Sequence, residues 1–302
     1  MPTSPNLDTN LKVGAEIGKV GPIQTMGSQE FQRFRDLVHE HTGIWLRDGK
    51  QIMLAARLSR QLRKLGLASF ADYFRFLSNA RKDGPEFVEF INSVTTNKTS
   101  FFREPHHFDF LAKTVVPEIK GAALRGAPRR ARIWSGASST GEEVYSIAIT
   151  LLESLPKNSW SIEVVGSDID TAVLATAKRA IYPADSLTAV DQAMRKRYFL
   201  RGKDRMTGQV KVKPEVTNLV DLRRINLMDR DWPLEGVFDA IFFRNALIYF
   251  QQDVQDNFLR RMTRYLKPGG YLFLGNAEHI PWLHDILEPL NKTMYRLRSA
   301  RR

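Results

Sequence analysis

The chain is 302 residues long, with 43% hydrophobic and 26% charged residues, no cysteine and a formal charge of +12 at pH 7. Its length suggests about two domains with room for a core in each, and its ordinary composition excludes wholesale disorder. The missing cysteines exclude disulfides, thiolate zinc sites and cysteine nucleophiles, and the charge points to acidic partners such as nucleic acid, anionic lipid or acidic protein helices without choosing among them.

Taken in order, residues 1–27 carry Pro, Gly, Asn and Thr with no sustained apolar period and read as a flexible leader. They hold no signal-peptide core, and no run of about 18 apolar residues follows, so a cytoplasmic chain without membrane insertion is expected. From Ser28, offered as an N-cap, a helical pattern places Phe31, Phe34, Leu37 and Val38 on one face until Thr42-Gly43 interrupts it. The next helix, Gln51 to Leu65, puts Leu54, Leu58, Leu62 and Leu65 on one stripe, with Arg57, Arg60 and Lys64 nearly opposite. Helical segments around Phe70–Leu77 and Glu86–Val94 complete an all-α domain over residues 28–96.

After about Lys113 short apolar runs alternate with helical ones: Ala131–Trp134, Ser161–Gly166, Val237–Phe243 and, after Lys267-Pro268-Gly269-Gly270, Gly270–Gly275. That alternation predicts an α/β domain over residues 97–302, doubly wound around a parallel sheet. Arg197 to Val216 is polar, and the alternation in Gln209-Val210-Lys211-Val212-Lys213 predicts a small antiparallel β-subdomain there.

Ligands of open α/β sheets bind beyond the carboxyl ends of the strands. The first such end, Trp134 to Glu143, is a run of small residues closed by two carboxylates. It lacks the lysine of a phosphate loop and suits a cationic ligand such as the ammonium and sulfonium groups of S-adenosylmethionine. Whether Glu142 or Glu143 points inward is undecided by spacing. Asp168 ends the second run where ribose hydroxyls are held, while Asp170 suits a helix cap. Asn226 can pair with an adenine edge and Leu227 can pack on its ring. Phe243, Arg244, Asn245 and Tyr249 end the fourth run, and Asn97 to Glu104 lies at the domain junction, a common place for ligand sites. His106 and His107 are adjacent rather than at a chelating i, i+4 spacing, so no metal is expected.

Together these pieces resemble the chemotaxis receptor glutamate methyltransferases, the CheR family, from about Phe31 to Tyr295. The segments that carry the resemblance are Asn97–Glu104, Trp134–Tyr145, Ser167-Asp168-Ile169-Asp170, Arg197-Tyr198-Phe199 with its insert, and Arg244-Asn245 through Ile248-Tyr249-Phe250. Val144 stands where proline is usual, Phe243 where cysteine is usual, and Gly275-Asn276-Ala277-Glu278 replaces Gly-His-Ser-Glu. The resemblance implies a class I, Rossmann-like methyltransferase domain behind a receptor-facing helical domain. It implies S-adenosyl-L-methionine as cofactor, leaving as S-adenosyl-L-homocysteine, held by Asn97, Thr99, Arg103, Glu143, Asp168, Asn226, Leu227, Phe243, Arg244 and Asn245. Arg57, Arg60 and Arg63 would meet the acidic methylation helices of a receptor's cytoplasmic domain, and in some members of the family the β-subdomain also docks a receptor C-terminal tether peptide. Separately from the resemblance, one helical cap on one catalytic domain makes a monomer the default expectation.

The reaction implied is protein-glutamate O-methylation. A glutamate side chain, with a reference pKa near 4.3, is already an anionic nucleophile at neutral pH and needs no general base. Arg103 and Tyr249 are the catalytic candidates, the first holding the carboxylate and the second donating to it. Two other classes compete. A nucleic-acid methyltransferase would use the same fold and charge, yet no zinc knuckle, RRM signature or Asn-Pro-Pro-Tyr motif appears. A non-catalytic cofactor- or receptor-binding protein is opposed by the intact Arg103 and Tyr249.

Overall fold

The computed structural model describes residues 25–156, 159–291 and 293–299, and the first of these carry four helices. The predicted leader lies almost wholly outside the described residues. Helix α1 (Ser28–Thr42) buries Phe31, Phe34, Leu37 and Val38 and ends at Gly43, whose φ of 73° lets its N–H return to His39 O at 2.8 Å. Ser28 is the first helical residue rather than the cap. The cap position is Gly27, and Glu30 reaches back to accept its N–H at 2.7 Å.

Helix α2 (Gln51–Leu65) buries Leu54, Leu58 and Leu62 against α3 (Phe70–Asn79) and α4 (Pro85–Val94). Each such leucine contributes about 1.5–3 kcal/mol of burial. Leu65 leaves the expected stripe and is 39% exposed, because it is the last helical residue before Gly66 turns the chain away. Arg57 also departs from expectation. At about 100° per residue it lies on the flank of the leucine stripe, whereas Arg60 and Arg63 lie farther round. Its guanidinium therefore reaches inward to the end of α4, and only Arg60 and Arg63 stand exposed.

Two helices, α5 (His106–Phe110) and α6 (Val116–Leu124), joined by a π-turn over Leu111–Val115, lead into a seven-stranded sheet. Its strands are β1 (Arg130–Gly136), β2 (Ser161–Asp168), β6 (Val220–Arg224), β7 (Phe238–Phe243), β8 (Leu266–Phe273), β9 (Leu287–Pro289) and β10 (Met294–Leu297), in spatial order β6-β2-β1-β7-β8-β10-β9. All pairs from β6 to β8 are parallel, and β10 runs antiparallel to both neighbours. The central strands β1 and β7 are buried along almost their whole length, as a sheet covered on both faces requires. The covering helices are α7 (Glu142–Ser154), α8 (Thr171–Arg179) and α11 (Gln252–Thr263). The Lys267–Gly270 segment does not precede the last parallel strand but bulges within β8, where the register to β7 slips between Phe238 and Ala240.

A second sheet pairs β3 (Ile181–Pro183), β5 (Gln209–Val212) and β4 (Phe199–Arg201) antiparallel, in the order β3-β5-β4, with α9 (Gln192–Tyr198) inside the insert and α10 (Pro214–Thr217) after it. The small sheet thus begins at Ile181, before the Arg197–Val216 segment that the sequence pattern marks, because a three-residue strand gives no readable alternation. Phe101 of the domain junction packs edge-on against Tyr182 and Phe199, at 5.1 and 5.3 Å, fastening this subdomain beside the main sheet.

Chain order runs outward from β1 to β2 and β6 and then returns to β7, so the sheet reverses direction between β1 and β7. In register, Gly136 faces Ser167 and Phe243, and Asp168 faces Arg224. The ends of four strands are therefore level at one edge.

Candidate active site

At that edge lies a cleft of about 540 Å³, walled on one side by the strand ends and on the other by helical-domain residues including Thr42, Trp45, Lys50, Met53 and Arg57. Its backbone is held in unusual conformations. Ala137, Ser139 and Asn245, all in its wall, and Phe102 and Glu104, which flank its lining residue Arg103, have φ between 51° and 59°. Left-handed non-glycine residues persist only where their surroundings fix them, and they gather at functional sites.

The loop after β1 builds the floor. Gly141, at φ 97°, starts α7, and a Cβ there would lie 2.7 Å from that of Ala177, so the loop closes tightly on α8. The first turn of α7 then decides between the two carboxylates. Glu143 lines the cleft, accepting from Ser135 Oγ at 2.8 Å and from Arg244 Nε at 2.7 Å. Glu142 turns aside to accept from Thr140 Oγ1 at 2.6 Å, and burial raises its pKa.

Asp168 is 8% exposed and accepts the N–H groups of Ser139 at 2.8 Å and Asp170 at 3.0 Å. Burial outweighs those two bonds and pushes its pKa up to about 6. Asp170 caps α8 through Ala172 N and Val173 N, and also accepts from Thr95 Oγ1 and Asn97 Nδ2 at 2.6 and 2.7 Å. The Asn97 side chain is thereby committed to Asp170, and its carbonyl accepts from Ser139 Oγ at 2.9 Å.

The remaining candidates converge on the same cleft with different freedom. Thr99, Leu227 and Phe243 line it, Phe243 being fully buried against Phe258. The amide of Asn226 is occupied at both ends, donating to His41 O at 2.7 Å and accepting from Met228 N at 3.1 Å, so its side chain is not free for the adenine edge in this arrangement. Arg103 is half-buried and donates to Lys98 O at 2.9 Å. Tyr249 is also half-buried, and its carbonyl accepts Trp45 N–H at 2.7 Å, tying the helical domain to the loop after β7. Arg60 and Arg63 do not line the cleft, whereas Arg57 does.

Three residues beneath the cleft escaped the sequence reading. His107, weighed only as a metal ligand, contacts Arg244 Nη1 through Nδ1 at 2.7 Å. Glu104 lies 3.5 Å from the same nitrogen and 3.2 Å from Asn245 Nδ2. Glu278, in the turn whose role the departure from Gly-His-Ser-Glu put in doubt, accepts N–H groups from Asn245, Leu247 and Gly275 at 2.8, 2.7 and 2.7 Å. A Glu104–His107 spacing of three at a helix start was the one available signal for the first two.

Residues 29–95 match the family model described as CheR methyltransferase, all-alpha domain, and residues 97–296 match that described as CheR methyltransferase, SAM binding domain. The chain belongs to the CheR methyltransferase family. Chemotaxis protein methyltransferase 2 of Pseudomonas aeruginosa is 41% identical over 281 residues, covering 91% of this chain and 97% of that one. The chemotaxis protein methyltransferase of Escherichia coli is 40% identical over 272 residues, covering 90% and 92%. This CheR methyltransferase is accordingly an enzyme of S-adenosylmethionine-dependent methylation in chemotaxis, on a doubly wound domain behind an all-α one.

The residues present fit that cofactor. Two carboxylates, Glu143 and Asp168, stand in the wall beside the apolar Leu227 and Phe243, the kind of donor set that an ammonium group, ribose hydroxyls and an adenine ring require. Ser138 Oγ, also in the wall, is buried without a hydrogen-bond partner among the described residues, a polar group open to a bound ligand.

Proposed function

We propose that this enzyme methylates glutamate side chains on the cytoplasmic domain of a chemotaxis receptor, and that the ten cleft residues named from the sequence hold the cofactor for that transfer. The observation that carries the reading is the position of Arg103 and Tyr249, both half-exposed in the same cleft as Glu143 and Asp168. Bound S-adenosylmethionine supplies an electrophilic sulfonium methyl group there. The protein then has to align an already ionised carboxylate, exclude water and avoid quenching the nucleophile. Alignment of that kind is worth roughly 7–11 kcal/mol of a barrier. Arg103 can hold a carboxylate through two N–H groups, and Tyr249 can donate its hydroxyl to it. Arg57, in the wall of the same cleft, adds a cation on the helical side.

Glu143 would take the amino group of the cofactor, and Asp168, when ionised, its ribose hydroxyls. Asn226 would contribute as a wall rather than through its amide. Arg60 and Arg63, exposed on the outside of α2, would meet acidic methylation helices. The edge strand β4, which among the described residues pairs with β5 alone, offers a backbone edge suited to a receptor tether peptide by strand addition. We place the enzyme in the cytoplasm as a monomer, where one helical cap serves one catalytic domain.

Transfer of radiolabelled methyl to receptor cytoplasmic fragments, beside an RNA control, tests the reading. Base-labile label on the receptor, lost in Arg103→Ala and strongly reduced in Tyr249→Phe, is expected. Label on RNA, or cofactor binding without transfer, would overturn it.

A further inference from the structure

Arg244 is an almost wholly buried guanidinium with two carboxylates in reach. Its Nε donates to Glu143 Oε2 at 2.7 Å, while its Nη1 lies 3.5 Å from Glu104 Oε2, an oxygen with no hydrogen bond among the described residues. The rings of Phe108 and Phe242, at 5.5 and 5.9 Å, wall it in. The Nε bond to Glu143 leaves Nη1 able to swing the short distance that would complete a bond to Glu104.

What occupies Nη1 instead is His107, fully buried, with Nδ1 at 2.7 Å. Arginine has only donors, so Nδ1 must be the acceptor and the imidazole must carry its proton on Nε2. Nε2 in turn faces Thr293 Oγ1 at 2.9 Å, just ahead of β10, where Thr293 O accepts Leu274 N–H at 2.8 Å. The final strand pair thus fixes the ring, and the ring fixes Arg244. Burial, then the charge of Arg244 and neighbouring His106, holds His107 neutral with a pKa of about 3, consistent with the acceptor role.

We propose that His107 is a positioning residue for cofactor binding: by accepting from Arg244 Nη1 it stops that nitrogen from closing the 3.5 Å gap to Glu104 and so keeps the guanidinium square to Glu143, which then faces the cleft in one orientation. The inference rests on Glu143 and Arg244 being cofactor-holding residues. A hydrogen bond to a charged group is worth about 1.5–3 kcal/mol, or roughly tenfold to a hundredfold in binding.

The test is calorimetric binding of S-adenosylhomocysteine to the full chain and to three variants, with steady-state kinetics alongside. His107→Phe keeps the ring and removes the acceptor, and His107→Asn restores an acceptor near the Nδ1 position. Thr293→Val removes only the outer contact. We expect His107→Phe to weaken binding at least about tenfold and to raise KM for S-adenosylmethionine more than it lowers kcat. His107→Asn should recover most of the loss, and Thr293→Val should lose about threefold. Nitrogen-15 spectra of the wild type should show His107 as the Nε2–H tautomer with no titration between about pH 5.5 and 8.5. If His107→Phe does not fold, the spectra and Thr293→Val decide the matter. Wild-type affinity in His107→Phe, or an Nδ1–H tautomer, overturns the role of His107 alone. Failure of the wild type to bind S-adenosylhomocysteine overturns the reading of the cleft beneath it.

Discussion

Arg57 Nη1 donates to the carbonyl of Val94 at 2.6 Å and to that of Thr95 at 2.8 Å, while Nη2 donates to Thr96 Oγ1 at 3.0 Å. These carbonyls end α4, so one guanidinium satisfies a helix terminus and fastens α2 to the segment that enters the cleft. Truncation should therefore act on stability and catalysis together. Arg57→Ala is expected to lose about 2–3 kcal/mol in denaturant unfolding, with kcat/KM falling at least tenfold. Arg57→Lys should recover little, because an ammonium cannot span three acceptors as a fork does. Unaltered stability in Arg57→Ala would refute the clamp.

Arg60→Ala and Arg63→Ala test the outer face by contrast. Both side chains are exposed on the outer face of α2. Unfolding midpoints and KM for S-adenosylmethionine should stay at wild-type values, while KM for receptor fragments rises and its salt dependence flattens, as expected when screened charge contacts are removed. A change in cofactor KM would show that the two faces of α2 are not independent.

Asp168 sets a pH dependence of definite sign. Its folded pKa, about 6, exceeds the ordinary carboxylate value near 3.9, so the folded apo protein binds the extra proton and stability falls as pH rises between about 4 and 6. Cofactor binding should run the other way. Ribose hydroxyls donate to the ionised carboxylate, so affinity for S-adenosylhomocysteine should rise over the same interval and level off near pH 7. Glu163 has the opposite shift: Arg132 and Arg130 hold its pKa near 2, so its contribution is lost only below about pH 4.5. Calorimetry from pH 5 to 8 should find proton release on binding that is largest near pH 5 and fades above about pH 7, and Asp168→Asn should abolish it. A flat affinity profile in the wild type counts against the ribose assignment.

The two neighbouring carboxylates of α7 separate in the same way. Glu143→Gln should weaken S-adenosylhomocysteine binding tenfold or more, because it removes one charge facing the cleft and disturbs the bond to Arg244. Glu142→Gln, at a site turned toward Thr140, should stay within about threefold of wild type. Equal losses in both variants would mean that the first turn of α7 is displaced when ligand binds.

What the sequence disclosed and what it hid follow from range. Asp170 as a cap, Gly43 as a helix stop and the small-residue loop before Glu143 are local signals, each decided by a few adjacent residues. Glu142 against Glu143 was undecidable because adjacent helical positions differ by about 100°, and only the docking of α7 on the sheet chooses. The hidden features all depend on distant partners: Arg57 needs the end of α4, His107 needs Thr293, and Asn226 meets His41 of the helical domain. The start of the small sheet at Ile181 was hidden for another reason, since three residues carry too little pattern to mark a strand.

Glu278 supplies the last test, and its outcome should be read in stability before activity. One carboxylate takes N–H groups from Asn245 and Gly275 on Oε2 and from Leu247 on Oε1, all within 2.8 Å. Those bonds hold the turn after β7 in which Asn245 adopts φ 59° and from which Tyr249 follows. Glu278→Ala leaves three donors unsatisfied in a region closed to water, and should cost about 3–5 kcal/mol. Glu278→Gln keeps one acceptor oxygen and should cost roughly half of that. The variant that still folds at low temperature should bind S-adenosylhomocysteine more weakly, through displaced Arg244 and Asn245, and transfer methyl more slowly, through displaced Tyr249. Loss of transfer with unchanged unfolding would instead place Glu278 in direct contact with the reacting groups, which its burial beneath the turn argues against.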